Sequence, residues 1–130
     1  RRRRRQRGFT LIELGVVLAV LAILVAIAVP TYLRMVARAR EAEAQQAWSM
    51  VKAELWSYYL QNNAFPADSN NDNWPDPIDQ PQSQNWTYVA TPVANGIKVT
   101  ANPSSSNNEV LCWTLSNTGS VSSGRGSQCQ

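Results

Sequence analysis

Residues 9–29 read FTLIELGVVLAVLAILVAIAV, twenty-one residues with a single charge, Glu13. Arg1 to Arg5 and Arg7 lie just ahead of them, and Pro30 follows. As a helix the stretch is about 30 Å long, the thickness of a bilayer's hydrocarbon core. The sequence therefore predicts one membrane-spanning helix. The arginines hold residues 1–8 on the cytoplasmic side, and the rest of the chain lies beyond the membrane. A run of arginines also reads as a nucleic-acid or localisation patch, but direct attachment to an apolar span favours the orientation role.

The remainder is not basic. Six of the twelve Lys and Arg residues fall within the first seven positions; the other six face nine Asp and Glu, a net of −3. Bulk charge thus gives no argument for nucleic acid, and any such contact would need a local patch. The chain has no histidine, which removes the commonest general base, metal ligand and pH switch. No catalytic constellation is visible, no cofactor is implied, and an enzyme is not expected.

Glu13 stands out, because a carboxylate inside an apolar helix is expensive. It can snorkel to the surface or favour the helix N-terminus through the dipole. A third role depends on where the chain is cut. A secretory signal is cut after its apolar run, which Ala26, Ala28 and Pro30 only loosely allow. A cut at Gly8–Phe9 would instead keep the apolar helix and create an α-amino group on Phe9. The amine of a neighbouring copy could then pair with Glu13, strongly so at low dielectric.

Beyond Pro30 the helical pattern continues, amphipathic now. Leu33, Val36/Ala37, Ala44, Ala47/Trp48, Val51, Leu55 and Tyr58/Tyr59 recur at three- and four-residue spacing. This predicts an amphipathic helix over 30–61 joined to the span over 9–29, kinked at Pro30; two helices broken there is the other reading. Residues 62–85 are rich in Asn, Asp, Pro and Ser and predict a long loop. Within it Asp68, Asn70, Asp72, Asp76 and Asp79 echo the ligand spacing of a calcium loop, a weak match: Asn73 replaces the central glycine and two prolines intrude. A solvated set of Asx-turns is the plainer reading.

From Trp86 the pattern alternates as strands do. Asn95-Gly96 predicts a hairpin turn, residues 102–108 a loop, and Asn117-Thr118-Gly119 a turn into a short strand near Val121. The expectation for 86–130 is an antiparallel meander of three or four strands whose apolar face packs on the Trp48–Tyr59 part of the helix. Trp48, Trp56, Trp86 and Trp113 fall on expected core faces, whereas Trp74, set among Asn and Pro, is the tryptophan expected to be exposed. Cys112 and Cys129 are expected to form a disulfide if this part lies outside the cytoplasm, the alternative being two buried thiols.

The stretch RGFTLIE at 7–13, the apolar run and Pro30 together resemble the N-terminus of type IV pilins and the related pseudopilins. The resemblance is close over residues 1 to about 60 and extends to layout beyond them. It departs in its all-arginine leader and in Gly15. It implies an α+β pilin fold: residues 1–8 a cleaved leader, 62–85 the αβ-loop, 86–130 a sheet with a disulfide-bounded region. It also implies cleavage after Gly8 by a prepilin peptidase, N-methylation of Phe9, and pairing of Glu13 with a neighbour's Phe9 amine. The partners implied are other pilins in a homo- or hetero-filament, the inner-membrane assembly platform, and the membrane. The single-pass subunit would wait in the inner membrane and end in a surface or periplasmic filament. Small residues Gly15, Ala19, Ala22, Ala26 and Ala28 would let such helices pack closely. The expected function is a filament subunit for adhesion, twitching motility or DNA uptake. A type II secretion pseudopilin is the nearer alternative, and an anchored binding domain that never assembles the more distant one.

Overall fold

The computed structural model describes residues 9–106 and 108–130. The leader residues 1–8, and with them Gly8, lie outside the described residues. The first element, α1 (Leu11–Asn62), is one α-helix with Pro30 inside it. The expected alternative of two helices is therefore not what forms. Proline lacks the N–H that would bond the carbonyl four residues back, yet the flanking turns hold, and the Thr31 hydroxyl donates to the Ile27 carbonyl at 3.0 Å. Chain contacts divide the protein after Val36 into two units.

In the first unit α1 makes no core. Its apolar side chains stand in the open, from Leu11 at 90% exposed to Leu21 at 49%. Soluble folds do not leave so long an apolar surface uncovered, so it requires lipid or protein around it.

In the second unit, Ala37–Gln130, α1 lays one stripe on a sheet. Ala44, Trp48, Val51 and Leu55, spaced by four, three and four residues, are its buried positions. The sheet is a meander of β1 (Trp86–Val93), β2 (Gly96–Pro103), β3 (Leu111–Ser116) and β4 (Val121–Arg125), in that order and antiparallel throughout. Because side chains alternate along strands, register assigns the faces. Tyr88 pairs with Ala101 and Ala101 with Leu111, and one strand pair along Ala90 meets Val99 and Val99 meets Trp113. These residues are buried, with Trp86, Ile97 and Leu115, and form the core against α1. Trp48 of the helix stacks on Trp113 of the sheet, ring centroids 5.6 Å apart and planes 6° from parallel.

The first hairpin corrects one expectation. Val93 pairs with Gly96, so Ala94-Asn95 makes the turn and Gly96 is already strand. The reason lies across the sheet: a Cβ on Gly96 would sit 2.1 Å from the Leu115 carbonyl oxygen. The glycine serves close strand approach, not the turn. Asn95 is instead tied by its carbonyl, which accepts from the Asn117 N–H at 2.8 Å.

Candidate functional site

Two places carry candidate functional residues: the start of α1, and the sheet and loop surface of the second unit. At the helix start Thr10 and Glu13 bond reciprocally. The Glu13 N–H donates to Thr10 Oγ1 at 3.3 Å, while the Thr10 N–H and hydroxyl donate to Glu13 Oε2 at 3.0 and 2.9 Å. This is a capping box. The motif Thr-Leu-Ile-Glu was there to be read, a threonine followed three residues later by glutamate ahead of an apolar run, and sequence reasoning passed over it. It alters the picture of Glu13. The carboxylate is not bare; it is hydrogen-bonded within its own helix and fixed one turn from Phe9, which is 81% exposed. Both groups expected to mediate assembly are thus held at one helix tip.

The loop of residues 63–85 is built by its own carboxylates. Asp68 accepts from the N–H groups of Asp72 and Asn73 at 3.3 and 2.9 Å, and Asp72 from that of Trp74 at 2.9 Å. Asp76 accepts from the Ser69 N–H and the Asn70 amide, at 3.2 and 3.0 Å. Asn71 and Asn73 take left-handed backbone conformations, which asparagine tolerates. The carboxylates of Asp68, Asp72 and Asp76 are thus turned onto the loop's own donors. Among the described residues no group of three or more His, Cys, Asp or Glu is placed to hold a metal ion. The Asx-turn reading matches this geometry.

Trp74 is not exposed. It is 3% accessible, and its indole N–H donates to the Ile78 carbonyl at 2.8 Å. The turn capped by Asp68 and Asp72 folds it inward, a tertiary effect that neighbouring Asn and Pro could not signal. Glu43 fastens the end of the same loop to α1: it accepts from the Ser83 hydroxyl at 2.6 Å and the Asn85 amide at 2.8 Å. The Trp86 indole adds a bond to the Arg40 carbonyl at 2.9 Å.

The other face of the sheet is polar. Thr91, Lys98, Thr114 and Ser122 form a row across all four strands. Lys98 Nζ donates to the Cys129 carbonyl at 3.1 Å. Cys112 of β3 is bonded to Cys129 in the short 3-10 turn Gly126–Cys129, Cα atoms 5.5 Å apart, so the tail is closed onto this face. Arg125 reaches from β4 to Glu41 of α1 at 2.9 Å.

The chain thus combines an uncovered apolar helix, capped by Thr10 and Glu13, with a helix-on-meander unit whose tail a disulfide closes. Among known proteins, residues 3–29 match the family described as "Prokaryotic N-terminal methylation motif", and residues 30–116 match "Type IV minor pilin ComP, DNA uptake sequence receptor". The chain is 36% identical over 124 residues to a "Type IV major pilin protein PilE1" of Neisseria gonorrhoeae, covering 89% of this chain and 73% of that one. It is 36% identical over 125 residues to another gonococcal PilE1, covering 89% of this chain, and 44% identical over 64 residues to "Fimbrial protein EcpC" of Eikenella corrodens, covering 49%. It spans 56% and 42% of the lengths of those two relatives. No solved structure matches. The chain belongs to the type IV pilin family and carries a ComP-like domain.

Proposed function

We propose that this chain is a filament subunit cut between Gly8 and Phe9 by a prepilin peptidase, methylated on Phe9, and held by residues 9–29 in the inner membrane until the assembly platform takes it up. The observation that carries the reading is the first unit of α1: an apolar surface with no core of its own, ending in Phe9 and the capped Glu13. In lipid that surface is satisfied. It is satisfied equally among copies of itself, and head-to-tail contacts that do not close give filaments. Pro30 is the kink point of this reading.

The test compares shed filament fractions from cells carrying the wild-type chain and Glu13→Ala, with the mature N-terminus read by mass spectrometry. Filaments of protein beginning at methylated Phe9, lost in the variant, are the expected result. Uncut protein, or cut protein confined to membranes whatever stands at position 13, would return the chain to the anchored-domain reading.

The match of residues 30–116 favours DNA uptake as the use of the filament. The row through Lys98 has no carboxylate in it, while the acidic residues Asp68, Asp72, Asp76 and Asp79 lie in the loop. With one lysine in the row, each subunit neutralises about one phosphate, so DNA affinity should fall only about as the first power of salt concentration. Filter binding of duplex DNA to the full chain in detergent, with Lys98→Gln beside it, measures that slope. No binding at low salt, or a slope unmoved by Lys98→Gln, refutes this role for the row.

A further inference from the structure

The two flanks of α1 in the second unit differ in net charge: Glu41, on the basic side, is paired with Arg125, and Arg40 lies at the edge of the acidic side. On one flank Glu43, Ala47, Met50 and Glu54 recur with helical spacing. Together with Asp79 and Gln80 of the loop they line an open groove of about 350 Å³. Met50 is 64% exposed there. On the other flank, toward β4, Arg38 and Lys52 stand fourteen positions apart, both exposed. Trp56, further along this flank, packs on Gly119 of the β3–β4 turn, which fixes the direction the flank faces. Lys52 and Glu54 are two residues apart, about 200° around the helix, and so point to opposite sides. Among the described residues neither Arg38, Lys52, Glu54 nor Asp79 joins an ion pair.

We propose that the groove receives the basic flank of the next copy of the chain, Lys52 of one copy lying against Glu54 and Asp79 of its neighbour and Arg38 against Glu43. The inference rests on the filament reading above. Charge complementarity supports a copy of this chain as the occupant. Pairing Arg38 with Glu43 and Lys52 with Glu54 offsets parallel helices by five and two residues, in the same direction; the difference is about 4.5 Å, which the long basic side chains can span. A joint of a groove on one flank with a cationic edge on the other is head-to-tail, which lets it repeat without closing. Met50 and Ala47 supply an apolar floor on which the stem of Lys52 can lie while its ammonium reaches the carboxylates.

The test uses filaments of the full chain. Lys52→Glu and Glu54→Lys each place like charges across the joint and should lower shed-filament yield about fivefold. The double variant reverses the pair and should restore most of it. All the positions are exposed, and far-UV circular dichroism of the membrane-extracted chain reports whether each variant folds. Independently, zero-length carbodiimide coupling of wild-type filaments should join Lys52 to Glu54 or Asp79. The two sides of the helix cannot meet within one copy, so that link is between copies. Filaments that vanish with Glu13→Ala yet ignore both single swaps, or a double variant no better than the singles, or coupling of Glu54 to a different protein, would overturn the joint and leave the filament reading standing. Absence of filaments from the wild type would overturn both.

Discussion

Tyr88 offers the sharpest quantitative test of the second unit. It lies on the inner face of β1, 2% exposed, and its hydroxyl has no hydrogen-bond partner among the described residues. Burial, and secondarily the charge of Glu43, push its pKa up from 10.0 to about 12. Two consequences follow for Tyr88→Phe. An unpartnered buried hydroxyl is a liability of about 1–2 kcal/mol, so the variant should be more stable by about 1 kcal/mol at pH 8. The second consequence concerns pH. Below pH 10 the phenol is protonated in both states. Above it the unfolded chain releases the proton first, so stability falls as pH rises through the window from 10 to 12. At pH 11 the wild-type loss from this group is about 1.4 kcal/mol, and Tyr88→Phe should lack it. Urea unfolding of the detergent-solubilised chain, followed by tryptophan fluorescence at pH 8 and 11, measures both. A variant destabilised by 1 kcal/mol or more at pH 8 would show that the hydroxyl is partnered, and one that keeps the wild type's loss from pH 8 to 11 would show that another group causes it; either result refutes the reasoning.

Gly96→Ala should destabilise by about 3 kcal/mol, because its Cβ meets the Leu115 carbonyl and must part β2 from β3; the midpoint of urea unfolding reads this, and a neutral result would mean the strands separate freely. Replacing Cys112 and Cys129 together by serine opens a loop with a sequence separation of 17 and should lower stability by about 3 kcal/mol, measured in the same way against the oxidised chain. Trp74→Ala should cost about 3–5 kcal/mol and speed protease nicking within 63–85, an outcome an exposed tryptophan would not give.

Much of this was readable in the sequence because it depended on local period. The apolar run at 9–29, the three- and four-residue spacing through Leu55, and the alternation after Trp86 each bury or expose one face, and the observed helix and four-strand meander follow them. The misreadings share a cause. Asn95-Gly96 has the composition of a turn, but Gly96 is set by a contact with Leu115 some twenty positions on. Trp74 sits among polar residues, but capping by Asp68 and Asp72 folds it inward. Neither neighbour is visible in a local window. The Glu43 bonds to Ser83 and Asn85 were hidden for the same reason. The cap at Thr10 and Glu13 is local, and its three-residue spacing is legible in the sequence.

That cap also sharpens the energetics of assembly. A carboxylate at an apolar helix start faces two demands, hydrogen bonds for its oxygens and a counter-charge for its field. The Thr10 amide and hydroxyl meet the first, both on one oxygen. They are neutral and leave the second unmet. In the proposed membrane-held state a free subunit can therefore keep its helix start ordered without a partner, and still gain when a cation arrives at the other oxygen. In the filament reading the Phe9 amine of the next copy is that cation. Because Thr10 holds the carboxylate in one place, that attraction would act at one fixed height at the helix start.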